Sequence, residues 1–109
     1  MRQEEIKDAS LAEIVRRLID AYRPLRIYLF GSHARGEAGA DSDYDLLLVV
    51  PDDASPRQKR SRLAYEVLRG TGVAADVIVW TKSNFNERLR VPASLPSTVE
   101  REGKELYAA

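Results

Sequence analysis

Gly31-Ser32-His33-Ala34-Arg35-Gly36-Glu37-Ala38-Gly39-Ala40-Asp41-Ser42-Asp43-Tyr44-Asp45 is the stretch whose reading decides the fold. It joins a glycine–serine turn to two aspartates separated by one residue, with an apolar run on each side. A turn that follows a strand and opens a short helix leaves backbone amides free for phosphate oxygens. Two carboxylates one residue apart can hold a hard divalent cation against those phosphates. The pairing points to chemistry on a nucleoside triphosphate.

Working outward, Arg26–Phe30 reads as a short strand and residues 32–35 as one helical turn closed by Gly36. Tyr44–Val50 reads as a second strand, apolar on both faces beyond Asp45, which implies a central position covered above and below. Upstream, Leu11, Ile14, Val15, Leu18, Ile19 and Tyr22 recur at helical spacing. The expected helix covers residues 10–21, with Ser10 and Glu13 as a capping box and Pro24 as the stop. Downstream, Ser55, Pro56 and Gln58 suggest a helix start, Leu63, Ala64, Val67 and Leu68 its buried stripe, and Gly70 its end. Residues 73–80 predict a third strand. Residues 85–90 predict a short helix capped by Ser83, followed by a loop containing Pro92 and Pro96. Residues 97–102 suggest a helical turn and residues 104–107 a terminal edge strand. The expected fold is a mixed α/β layer arrangement with few strands, one domain over residues 1–109.

Composition narrows the function. The chain of 109 residues has no cysteine and one histidine, which excludes disulfides, cysteine nucleophiles and a thiolate metal site. Residues 1–10 lack the apolar core of a signal peptide, and the longest apolar run, residues 46–50, is far short of the roughly 20 residues of a membrane span. A cytoplasmic protein without membrane contact is the expectation. Lys plus Arg equals Asp plus Glu at 17 each, so the net charge is zero. That argues against a general nucleic-acid binder and leaves homo- or hetero-oligomerisation open.

Side chains alternate along a strand, so Asp43 and Asp45 project to one side at its entry, their Cα atoms about 7 Å apart. Such a pair suits one hard cation or two adjacent ones. Asp76 is the only charged residue between positions 73 and 80 and shares a face with Ile78 and Trp80. If the third strand neighbours the second, Asp76 joins the same site.

Gly31-Ser32, Asp43-x-Asp45 and a later-strand Asp76 resemble the signature of the nucleotidyltransferase superfamily that includes DNA polymerase beta. The text Gly-Ser-His-Ala-Arg-Gly, then Ser-Asp-Tyr-Asp-Leu, is similar to the minimal nucleotidyltransferase family, as is the ending Glu-Arg-Glu-Gly-Lys-Glu-Leu-Tyr. The resemblance implies a small mixed β-sheet flanked by helices, two Mg²⁺ ions, and ATP as substrate. It implies Asp43, Asp45 and Asp76 as metal-binding and catalytic residues, with Asp76 helping to deprotonate the acceptor hydroxyl. Gly31 and Ser32 would hold the β- and γ-phosphates, with Arg35 a further candidate for nucleotide contact. It also implies a HEPN-type toxin as partner, a small helical ribonuclease that receives AMP on a tyrosine, with this chain as antitoxin. The alternatives are an antitoxin that acts by occlusion alone, and a small-molecule nucleotidyltransferase such as an antibiotic-modifying enzyme.

Other residues have plainer readings. Asp41 is expected to be solvated or bonded to local backbone. His33 is expected on an exposed helical turn, and Arg35 could equally pair with Glu37. The cations from Arg57 to Arg69 read as a solvated helix face. Trp80, Tyr65 and Tyr107 are expected in the core or at an interface.

Overall fold

The apolar periodicities resolve into a sheet with a helical layer on each face. The computed structural model describes residues 6, 8–39 and 42–109; Asp41 lies outside the described residues. The order is α1 (Ala9–Tyr22), β1 (Arg26–Phe30), α2 (Gly31–Arg35), β2 (Tyr44–Val50), a 3₁₀ turn (Arg57–Lys59), α3 (Arg62–Val67), β3 (Ala75–Thr81), α4 (Lys82–Arg88), α5 (Leu95–Glu102) and β4 (Lys104–Ala108). The strands form one mixed sheet in the order β3-β2-β1-β4. β1 runs antiparallel to both β2 and β4, while β2 and β3 are parallel. β2 is therefore central and β4 an edge strand, as the sequence implies.

Alternation along the strands builds two cores. Ile27, Leu29, Leu46, Leu48, Val50 and Val77 face α1 and α3, meeting Leu11, Ile14, Val15, Leu18, Leu63 and Leu68. Tyr28, Leu47 and Val49 face the other way, against Phe85 of α4 and Val99 of α5, with Trp80 packed alongside. The Tyr28 and Phe85 rings stack at 5.8 Å. β1 and β2 thus lose water from both faces, the largest favourable term in folding. Gly103 lets the end of α5 turn into β4, since a Cβ there would meet the carbonyl oxygens of Val99 and Leu29 at 2.6 and 2.8 Å.

Several element ends differ from the sequence reading. The cap of α1 is Asp8, whose carboxylate accepts from the Ser10 and Leu11 amides at 2.9 and 3.2 Å, so Ser10 is capped rather than capping. Glu13 instead binds Arg16 and Arg17, which hold its carboxyl down at about 2. Ser55 and Gln58 do bond reciprocally, at 3.2 Å each way. They close only a 3₁₀ turn, because Arg60 is extended and α3 begins afresh. β3 starts at Ala75 rather than 73. Thr81 caps α4, because Ser83 is occupied by Asp52, which accepts from its amide and hydroxyl. Ser94 caps α5, whose first turn admits Pro96 without losing an amide it needs. Tyr65 is 52 % exposed and belongs to no core.

Tyr22 explains why α3 docks although it is short. Its ring is buried beneath the segment joining the 3₁₀ turn to α3. Its hydroxyl donates to the Arg60 carbonyl at 2.5 Å and accepts from the Ala64 amide at 2.9 Å. Arg17 completes the seam by donating to the Val67 and Arg69 carbonyls at the end of α3. Tyr22→Phe should cost about 1–2 kcal/mol, because the Arg60 carbonyl loses its donor, while the Ala64 amide keeps the Ser61 carbonyl at 2.9 Å. Arg57→Ala, which breaks an exposed pair with Glu66, should cost at most about 1 kcal/mol. Denaturant unfolding of the two variants measures the contrast.

Candidate active site

The site forms where three strand ends meet. Antiparallel pairing sets Phe30, the last residue of β1, opposite Asp45, and parallel pairing sets Asp45 beside Asp76. Asp45 shares its face with Leu47 and Val49, and Asp76 shares its face with Ile78 and Trp80, so both carboxylates emerge on the same side of the sheet. Asp43 lies two residues before Asp45, just outside the strand, and returns to that side by alternation. Asp45 is half-buried, whereas Asp43 and Asp76 are exposed.

Gly31 follows Phe30 directly and starts α2 with φ +74°. A Cβ there would overlap the Asp45 carboxylate, so only glycine lets the turn pass this close. Ser32 is the next residue of α2, beside that contact. Arg35 points to Glu37 instead, with Nε donating to its carboxylate at 2.6 Å. The sequence left that alternative open, and the structure takes it.

Burial pushes the Asp45 carboxyl up from its ordinary value, and the negative charges of Asp76 and then Asp43 push it further. His33 and Arg35 oppose that shift without cancelling it. Among the described residues, no group of three or more His, Asp or Glu side chains is closed into a ready-made metal cage. What the strand register supplies is an open, all-oxygen donor set with unrelieved like-charge repulsion. That combination fits a hard divalent cation, which would remove the repulsion on binding.

Two clefts flank Asp43. One of about 400 Å³ is lined by His33, Ser42, Asp43, Tyr44 and Val73 among others. The second, about 340 Å³, runs between Asp43, Asp76, Tyr65 and Arg69. The sequence missed two residues here and misplaced a third. His33 is half-buried rather than exposed, its ring stacked on Tyr44 with centroids 4.1 Å apart. The Tyr44 hydroxyl donates in turn to Asp8. Asp8 and His33 reach Tyr44 from 36 and 11 positions away, separations that carry no periodic signal.

The nucleotidyltransferase domain model matches residues 9–105. The chain belongs to that family. A relative from Methanocaldococcus jannaschii, named "Putative protein adenylyltransferase", is 32% identical over 103 residues, 93% of this chain and 98% of the relative. Among solved structures, a "putative nucleotidyltransferase" from Sulfolobus solfataricus superimposes with a TM-score of 0.52 at 26% identity, over 72% of this chain and 69% of that one. Two toxin-antitoxin structures share the fold. One, described with AMP-PNP, has a TM-score of 0.57 at 21% identity, over 95% of this chain and 75% of that one. The other, a mutant of the MntA-HpeT toxin-antitoxin, has a TM-score of 0.60 at 20% identity, over 89% and 72%. This nucleotidyltransferase therefore carries its carboxylates and its glycine–serine turn on the family's fold. Among the described residues no helix is long and apolar enough to cross a membrane.

The raised Asp45 carboxyl has a measurable consequence. An acid whose pKa rises on folding adds stability only while protonated, below its unfolded value of about 3.9, and loses it as pH climbs through the folded value. At neutral pH the charged Asp45 therefore works against the fold. Asp45→Asn should raise the melting temperature at pH 7, and the gain should shrink as pH falls through the raised folded value and be gone below the ordinary aspartate value. Thermal melts of both proteins across that pH range check the sign.

Proposed function

We propose that this nucleotidyltransferase moves AMP from ATP to a hydroxyl, that of a tyrosine, on a partner protein of the HEPN toxin type. It would act as an antitoxin in the cytoplasm, with residues 1–109 working as one domain. The observation that carries the reading is the Asp45–Asp76 register, which sets both carboxylates on the face that Asp43 shares, beside Gly31 and Ser32. Support for a protein acceptor comes from the M. jannaschii relative, whose name is that of a protein adenylyltransferase and whose length this chain almost fully covers. The toxin-antitoxin neighbours favour a toxin as that acceptor.

In this reading Asp43, Asp45 and Asp76 would hold two Mg²⁺ ions, which would supply charge neutralisation for the polyphosphate and the pyrophosphate product. The chain's own groups do the rest. The amides and hydroxyl of the Gly31–Ser32 turn grip the β- and γ-phosphates, because the open helix start favours negative charge. Arg35 joins them by leaving Glu37, an exposed pair that costs at most about 1 kcal/mol to break. Asp76, exposed at the mouth of the cleft it shares with Tyr65 and Arg69, accepts the proton of the incoming hydroxyl. The hydroxyl oxygen forms its bond to the α-phosphorus as the bond to the β-phosphate bridging oxygen breaks, and pyrophosphate leaves.

Incubation with α-labelled ATP, Mg²⁺ and a candidate HEPN-type toxin tests the reading. Label should appear on that protein. Asp76→Asn should slow transfer by roughly 10²–10⁴-fold, the usual worth of a positioned base. Its exposure predicts a stability change within about 0.5 kcal/mol. Neutralisation by Asp43→Ala or Asp45→Ala as complete as by the native chain would mean occlusion instead. Label on an aminoglycoside and not on the protein would mean a small-molecule acceptor.

A further inference from the structure

Asp43 stands outside β2, so no strand ladder fixes it, yet it must be placed to within a fraction of an ångström to act with Asp45. Both of its chain neighbours are held by one side chain. The His33 imidazole lies flat on the Tyr44 ring, centroids 4.1 Å apart and planes 23° from parallel. Its Nε2 is 3.0 Å from the Ser42 carbonyl oxygen. A carbonyl can only accept, so Nε2 carries a proton and donates it to that bond. The residue before Asp43 is thus tied by a hydrogen bond and the residue after it by a stack.

The surroundings make this clamp stiff. Ser42 is further tied to Gly39, accepting from its amide at 3.0 Å and donating its own amide to the Gly39 carbonyl at 3.2 Å. Tyr44 donates its amide to the Ala74 carbonyl at 3.1 Å and its hydroxyl to Asp8, the cap of α1. His33 itself sits on α2, two residues beyond Gly31, whose backbone abuts the Asp45 carboxylate. One imidazole therefore spans from the helix that begins with the glycine–serine turn to the loop that carries Asp43.

We infer that His33 is a positioning residue that sets the spacing between Asp43 and the Gly31–Ser32 turn, so that a cation and the polyphosphate are met together. The inference rests on the nucleotidyl-transfer reading for its purpose, but not for its geometry. His33 does not reach the reacting atoms; it acts through Ser42 and Tyr44. Removing the Nε2 donor frees one side of Asp43 while leaving the fold's cores untouched.

His33→Phe keeps a ring on Tyr44 and removes the donor, whereas His33→Gln keeps a donor of similar reach. Hydrogen exchange in the metal-free protein is the first readout. The Asp43 and Tyr44 amides should exchange faster in His33→Phe than in the native chain, with protection in the rest of the sheet unchanged. The second readout is Mn²⁺ affinity in the presence of a non-hydrolysable ATP analogue, followed by electron paramagnetic resonance. His33→Phe should bind Mn²⁺ about tenfold more weakly, the loss expected of one hydrogen bond, and His33→Gln should recover most of it. Native exchange at Asp43 in His33→Phe, or native Mn²⁺ affinity, would overturn the inference. So would a folded His33→Gln that binds as weakly as His33→Phe. A native chain that binds no Mn²⁺ with the analogue would instead sink the proposed function, and the exchange result would still decide whether His33 holds Asp43.

Discussion

Parallel pairing of β2 with β3 in the register Asp45 beside Asp76 is the constraint on which the rest of the molecule depends. Like charges set side by side on neighbouring strands repel, so the pairing stands because Leu46, Leu48, Val50 and Val77 on one face and Leu47 and Val49 on the other bury so completely. A slip of one residue in β3 would carry Asp76 to the opposite face and expose Val77 in its place. The apolar pattern therefore enforces a carboxylate pair that electrostatics alone would separate. Antiparallel pairing of β1 with β2 adds the third component, because it ends β1 opposite Asp45 and turns the chain at Gly31 against that carboxylate.

The cost of this arrangement is local and its support is distributed. Asp45 is half-buried with its carboxyl raised, while the stabilising polar contacts lie elsewhere. Tyr22 satisfies two backbone groups of the segment leading into α3, Arg17 satisfies two more at its end, and Asp52 anchors the start of α4. A site held under repulsion on a rigid sheet is the usual form of a trade between stability and function.

Much of this was legible in the residues. The stripe from Leu11 to Tyr22, the doubly apolar Tyr44–Val50 and the alternation that aims Asp45 and Asp76 depend on local periods, and the structure follows them. What escaped depends on competition between neighbours. Ser10 had the right chemistry for a cap, but Asp8 starts the helix earlier by taking the Ser10 and Leu11 amides; Ser83 falls inside α4, bonded to Asp52, and Thr81 caps it. Ser55 and Gln58 closed their box on a 3₁₀ turn that ends at the extended Arg60, whose carbonyl accepts from Tyr22. His33 looked like a surface residue because Ser42 and Tyr44 come to it only through a long-range turn. Arg35 stood between two partners of equal chemical merit, and sequence offers no means of choosing.

The central claim is that three aspartates from two strands and one loop together hold divalent cations next to the glycine–serine turn. Anomalous diffraction from crystals grown with Mn²⁺ and a non-hydrolysable ATP analogue locates such a cation directly. The account predicts a peak within coordination distance of Asp43 and Asp45, on the side that faces Asp76, with the triphosphate lying along Gly31 and Ser32. A bound nucleotide whose Mn²⁺ peak lies away from these carboxylates would contradict it.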